Sequence, residues 1–493
     1  MNIFSLNFAK QLILPLTSVL LLAGCSTLEN SHRQKSAMMT AYQAGNQNAV
    51  LEEINAKLNS TSGSGDEVMW HLESGSANFI FGKYADSIRQ FDQAEKLISA
   101  YDKRAVISAM DVGSEGAMLI TNLNALPYRG FCRDRIMLPV FRGFAYLGKG
   151  DEDGFRTEMF RLRQNQQQVQ TDYRKFFEAE SRNLERSRQK NQSAAKLAAD
   201  NQQKLLNNPN NAQNQSLNAA WAESRQVAHK GYGNFLNPFA IFLSGISYLR
   251  DNDYENAYVD FDRLYQAMPQ NVLAQSYMAT ILKLTKREVP EALKNVKPIN
   301  FPLDKNTVTV ILANGRSAAF RQEALYFPIM TAWSVCEYYP APFQSARIRY
   351  NNQVFSTIPL ADMDGIISQE YQERLPGMIT RIFLSTAIKE GGKYAASYAA
   401  YQSDELVGLL VLLAGSAYTA AMNTADTRSW EILPKEFQVL QLPMPENHQL
   451  DISLSGNNFQ TVQIPPAARS AFIYINAPSP QNWSYQIFPF YQK

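Results

Sequence analysis

Hydrophobic periodicity changes character once along this 493-residue chain, after Pro290, and that change limits the folds open to it. Before Pro290, apolar residues recur every three or four positions, as in the stripe Ile88, Phe91, Ala94 and Leu97. Such spacing puts them on one face of a helix. After Pro290 the pattern becomes short β-branched runs closed by turn residues. Residues 306–312 (Asn-Thr-Val-Thr-Val-Ile-Leu), followed by Asn314-Gly315, predict a strand and a turn. Residues 346–350 and 354–358, flanking Asn351-Asn352-Gln353, predict a hairpin. Further strands are expected at 437–442, 450–454, 461–464, 470–475 and 485–489, with a helical insertion over 363–425. The expected fold class is a helical N-terminal half (36–295) followed by a mixed α+β domain (300–493). An apolar content of 45% and an aromatic content of 11% are enough to fill cores in both.

Within the helical half, residues 237–269 carry Gly245, Tyr248, Tyr254, Ala257, Phe261 and Pro269 at spacings that resemble a tetratricopeptide repeat. A glycine at 245 lets two antiparallel helices approach closely, and Ala257 fills their crossing. Tyr248, Tyr254 and Phe261 wedge between the helices, and Pro269 ends the second one. The same template laid on 66–100 matches Gly75, Gly82, Tyr84, Phe91 and Ala94. A third unit over 136–162 has Gly143, Tyr146 and Gly150 in register, then Phe155, Met159 and Leu162 as its stripe. Stacked helix pairs are the expected architecture, although unrelated helical hairpins with generic packing also fit these residues. Between the units, residues 163–218 form a polar helical insertion, expected as long exposed helices projecting from the body. Its apolar positions are sparse (Val169, Tyr173, Phe176, Phe177, Leu184), and 207–211 (Asn-Asn-Pro-Asn-Asn) break it. Interleaved charges read as a solvated helical face.

At the amino terminus, Lys10 precedes an apolar run from Leu12 that closes on Leu22-Ala23-Gly24-Cys25. Basic residue, short apolar run and small residues in that order are the parts of a secretory signal. The run, about 11 residues, is too short for a spanning helix of about 20. With the cysteine in that place, the stretch resembles a bacterial lipoprotein signal. The resemblance implies removal of residues 1–24 and lipid on Cys25. Ser26, where an aspartate would favour inner-membrane retention, implies an outer-membrane lipoprotein facing the periplasm. Residues 25–35 read as a polar tether. Net charge is +2, so no global field marks the chain for nucleic acid. Cys132 and Cys336 remain, either as a disulfide between the two halves or as two buried free thiols. Residues 406–422 are nearly all apolar or small, at the lower limit for a span, and are expected as a buried central helix. A membrane-touching helix is the rival reading.

The order of lipobox, helical units, Asn237-Pro238-Phe239, Asn314-Gly315-Arg316, Asp362, Arg381, residues 425–430 and Leu433-Pro434 resembles a family of Gram-negative lipoproteins. That family has tetratricopeptide-like helices, a C-terminal α+β domain and no established activity. The resemblance spans most of the mature chain, and Asp426-Thr427-Arg428-Ser429-Trp430 is its most specific piece. It implies a link to cell-wall synthesis. Read from chemistry alone, Asp426 and Arg428 are an ion pair or cap locking a helix to the sheet, with Trp430 as a packed anchor. The rival role is partner recognition at a domain junction.

No catalytic constellation stands out. The four histidines (His32, His71, His229, His448) have no metal-ligand spacing. Glycine-serine pairs at 75–76, 113–114 and 415–416 lack a nucleophile elbow. Gly391-Gly392-Lys393 lacks the rest of a phosphate-binding loop. Asp362, Asp364 and Glu370 read as first-turn helix caps. No metal and no cofactor are expected. The expected function is a lipid-anchored scaffold whose stacked helices offer a concave surface to another envelope protein. The alternative is peptidoglycan or glycan binding through the C-terminal domain.

Overall fold

Short polar side chains start most of the helices. Asn30, Asn46, Asp151, Asn237, Asp253 and Asn271 each accept a backbone N–H from the first turn that follows. At Asn237 the cap is followed by Pro238, whose fixed φ suits the first helical position. The computed structural model describes residues 30–110, 127–207, 215–233, 235–299, 306–326, 330–401 and 424–491. The helices are α1 (Ser31–Gln43), α2 (Gln47–Thr61), α3 (Glu67–Ile80), α4 (Tyr84–Met110), α5 (Cys132–Gly148) and α6 (Glu152–Lys190). They continue with α7 (Gln192–Asn207), α8 (Gln215–Ala228), α9 (Pro238–Arg250), α10 (Tyr254–Ala267) and α11 (Val272–Leu284).

Three pairs, α3–α4, α5–α6 and α9–α10, share one internal spacing. A left-handed residue ends the first helix seven positions after the contact glycine: Gly82, Gly150 and Asn252. The contact glycines themselves, Gly75, Gly143 and Gly245, each face the residue sixteen positions on. A Cβ on Gly75 would lie 2.6 Å from the Phe91 ring, one on Gly143 3.0 Å from Met159, and one on Gly245 2.9 Å from Phe261. Phe91, Ala94, Ala257 and Phe261 are fully buried at these crossings. Tyr84 packs over Gly148 and Tyr146 over Gly154. Tyr248 lies under the Arg163 guanidinium, and Tyr254 donates to Asn252 in the turn.

After α11 the strands are β1 (Thr307–Asn314), β2 (Ala319–Tyr326), β3 (Met330–Glu337), β4 (Arg347–Tyr350), β5 (Gln353–Ser356) and β6 (Ile358–Asp362). Helix α12 (Met363–Tyr401) precedes β7 (Glu436–Pro443), β8 (Gln449–Ser453), β9 (Gln460–Gln463), β10 (Ser470–Ser479) and β11 (Asn482–Phe490). The helical-then-α+β order is therefore present. The hairpin turn at Asn351-Asn352 has both residues at positive φ, as a tight turn requires. The central sheet runs β11-β10-β1-β7-β6, with β1 parallel to β10 and antiparallel to β7. A second sheet runs β5-β4-β8-β9, and β2–β3 form a separate ribbon.

Alternation along β1 explains the layering. Ile311 and Ala313 face the helices, while Val308, Val310 and Leu312 face the second sheet. On the helix side, Phe79 meets Tyr474, Phe144 and Phe155 meet Phe472, and Phe239 stacks on Phe437 at 4.0 Å. The row of helices thus has one face filled by the chain's own sheet. Helical and strand-bearing halves share a single core instead of meeting at a domain boundary near 295–300.

Several expectations change. Segment 163–218 does not project freely: α7 and α8 pack on α12, and α8 packs also on the β2–β3 ribbon. Leu184 at the end of α6, Ala198 of α7, and Leu217 and Trp221 of α8 share a second core with Trp333, Tyr371 and Phe383. The two insertions therefore cover each other. Residues 31–35 of the expected tether are helical, and Lys35 is fully buried. Cys132 and Cys336 are free, buried thiols and form no disulfide. Residues 1–29, including Cys25 and the signal, and residues 406–422 lie outside the described residues. Among the described residues no helix is long and apolar enough to cross a membrane.

The close helix crossings are testable. Gly75→Val should destabilise the protein by about 1–3 kcal/mol, because the added methyls collide with a buried ring. Urea unfolding measures this, and unchanged stability would remove the packing role assigned to Gly75.

Candidate functional site

The motif segment 424–435 carries no helix or strand, yet Thr427, Arg428, Ser429, Trp430 and Glu431 are all buried. Buried irregular backbone needs partners, and here helices and sheet supply them. Trp430 Nε1–H donates to Ser76 Oγ at 2.9 Å, and its ring packs against Phe91 and Phe141. The indole is thereby clamped between α3, α4 and α5. Arg428 donates through Nε and Nη2 to both oxygens of Asp426, each at 2.8 Å, and through Nη1 to Asp66 at 3.2 Å. Burial works against an ionised Asp426, and the Arg428 guanidinium outweighs it, holding the carboxyl below its ordinary range. Asp426, Arg428 and Trp430 therefore join the segment to the N-terminal helices; the helix they were expected to lock to the sheet lies outside the described residues.

Beside them lies a buried charge cluster that the sequence reading did not single out. Lys35 donates to Glu73 at 2.7 Å and to the Ser429 carbonyl, and its ammonium is 4.0 Å from Glu431. Glu73 also accepts the backbone N–H groups of Glu431 (2.7 Å) and Ile432 (3.1 Å). Arg316 pairs with Glu431. Burial raises the Glu73 pKa, with Lys35 opposing. For Glu431, contacts with His32, Lys35 and Arg316 overcome burial and lower it. His32 N–H donates to Thr427 Oγ1 at 3.3 Å, so α1 lies alongside the motif. One signal was available: Glu73 is the lone acid in the mostly apolar and small-residue stretch 68–80.

Next to the motif is a cleft of about 20 Å³ lined by Phe131, Arg133, Phe320, Ser334, Glu370, Tyr371, Arg374, Met378 and Asp426. It has room for about one water. Arg133 and Arg374 both lie over the Phe131 ring, at 4.1 and 4.6 Å. Arg133 also donates to Glu370 (3.0 Å) and to Ser429 Oγ (3.1 Å). Glu370 accepts the Cys132 N–H at 2.9 Å. Burial pushes both thiols up, Cys336 to about 12, so neither is a thiolate nucleophile at neutral pH.

The expected carboxylate cluster separates into three roles. Asp362 accepts the Gly365 N–H at 2.9 Å and caps α12, as expected. Asp364 instead accepts the Ala318 N–H at 2.7 Å and pairs with Lys435. Glu370 serves Arg133 and is no cap. The repeat residues Gly75, Gly143 and Gly245 sit at helix crossings away from the cleft. Among the described residues no group of three or more His, Cys, Asp or Glu could hold a metal ion.

Asp364 makes a pH prediction. Burial, opposed by Lys435, raises its pKa from 3.8 to about 6. Between those values the folded state keeps a proton that the unfolded chain releases, so stability falls as pH rises through that window. The loss is about 3 kcal/mol at most. Asp364→Asn should flatten the profile in denaturant titrations from pH 4 to pH 7, and parallel profiles for both proteins would contradict the assignment.

The chain matches no protein-family model, no curated protein and no solved structure.

Proposed function

We propose that this chain is a non-enzymatic, lipid-anchored envelope protein, lipidated on Cys25 and held at the outer membrane. In this reading it holds another envelope protein in place, with cell-wall synthesis factors as the expected partners. Its three helical hairpins are read as degenerate tetratricopeptide-like units. The observation that carries the reading is the division of the helix row into a filled face and an open one. Sheet aromatics occupy the first. On the other, Phe160 of α6 is 54% exposed and Val259 of α10 is 36% exposed. Arg163 links those two helices through Asn256 and Asp260. Partner binding is therefore assigned to the outer helices, not to the face expected from repeat architecture. The committed state of the buried carboxylates Glu73, Glu370, Asp426 and Glu431 also suits holding over turnover.

Crosslinking in cells with mass spectrometry tests this. Phe160→Arg should lose the specific partner while keeping the native thermal melt. Recovery of the same proteins at the same yield would defeat the scaffold reading at this surface.

A second reading, peptidoglycan binding, draws on the outer face of the β5-β4-β8-β9 sheet. There Arg349 lies 3.8 Å over Phe459 and 3.3 Å from Asp451, beside exposed Gln449, Thr461 and Gln463. An aromatic ring among amides and charges is suited to sugars. Sedimentation of the whole mature chain with purified peptidoglycan, compared with Arg349→Ala, separates the readings. The whole chain is needed because the sheets share cores with the helices. Equal sedimentation of both proteins, or of neither, would count against this sheet face.

A further inference from the structure

The described chain begins at Asn30, and that end of the fold is defined by several contacts. Ser31 and His32 bond Thr427, Arg428 bonds Asp66, and Tyr101 bonds Ser64 beside it. Helix α4 runs between this end and the opposite one, where Tyr84 packs on Gly148 and Phe488. Lys83 and Lys103 therefore mark opposite ends, about 30 Å apart along one helix.

We infer that the Asn30 end is the face this protein sets against an anionic phospholipid surface. The inference rests on the proposed lipid at Cys25. Because α1 is docked from Ser31 and Lys35 is buried, six residues (25–30) precede it where a tether of eleven (25–35) was expected. The five residue steps from Cys25 to Asn30 can span at most about 18 Å, so the bilayer must lie close to Asn30. The charge is suitable: Arg33, Lys103 and Arg104 are exposed at this end. Each basic residue near an anionic surface contributes attraction that salt screens.

The test attaches the mature protein through its Cys25 thiol to a maleimide lipid in vesicles; Cys132 and Cys336 are buried. Lysine acetylation is then read by mass spectrometry. On phosphatidylglycerol vesicles Lys103 should react several-fold more slowly than in the free protein, while Lys83 and Lys149 react unchanged. Protection of Lys83 or Lys149 in place of Lys103, or protection of none, would overturn the orientation. Equal protection on phosphatidylcholine vesicles would overturn the role of the basic side chains. Chemical attachment makes this result independent of acylation in cells, which the mass of the Cys25 peptide from cells tests separately.

Discussion

The fold depends on one buried ammonium. Lys35 sits between Glu73 and Glu431 with no exposure, and these three residues come from α1, α3 and the motif segment. Leaving any of these charges uncompensated in the interior costs roughly 3–5 kcal/mol. The first helix, the first hairpin and the segment that leads into β7 must therefore assemble together. Trp430 reinforces the join by filling the space between α3, α4 and α5. Because Glu436 opens β7 only five residues after Glu431, locking the segment also fixes the central sheet against the helices.

That docking changes what the helices can do. A row of helix pairs normally leaves one face for a ligand, and here Phe472, Tyr474, Phe488 and Phe437 occupy it. The sheet in turn has no open face, because the β5-β4-β8-β9 sheet covers its other side. Both main cores are internal, so the faces left to solvent are those of the outer helices, the outer small sheet and the Asn30 end. The second core, where α7 and α8 close on α12 and the ribbon, ties the two insertions into one body.

Much of the secondary structure was legible, and the failures have physical causes. β1 and the β4–β5 hairpin were readable because their runs end in Asn or Gly turns, and β7 to β11 lie where short strands were expected. β2 was missed: Ala-Phe-Arg-Gln-Glu-Ala-Leu-Tyr has no β-branched residue, and its strand state comes from pairing with β3. The tether reading failed at Lys35 because a lysine reads as solvated until its carboxylates are known. The same reasoning covers the polar insertion, whose few apolar residues suffice once a second helix covers them. Asp426 and Arg428 were legible as a pair because they are two residues apart. Glu73 and Arg133 were not, because their partners Lys35, Glu370 and Glu431 lie 38 to 358 residues away.

By itself, the sequence determined what is decided within a turn or a strand. Caps such as Asn237-Pro238, the left-handed turn residues and the glycine contacts sixteen residues apart all depend on neighbours close along the chain. Tertiary structure alone decided which face of the helix row would be filled, where Lys35 would sit and that the cysteines would stay apart. Those outcomes depend on pairings across up to about four hundred residues. Burial there removes water, so each charge and ring must find its match in space and not in sequence.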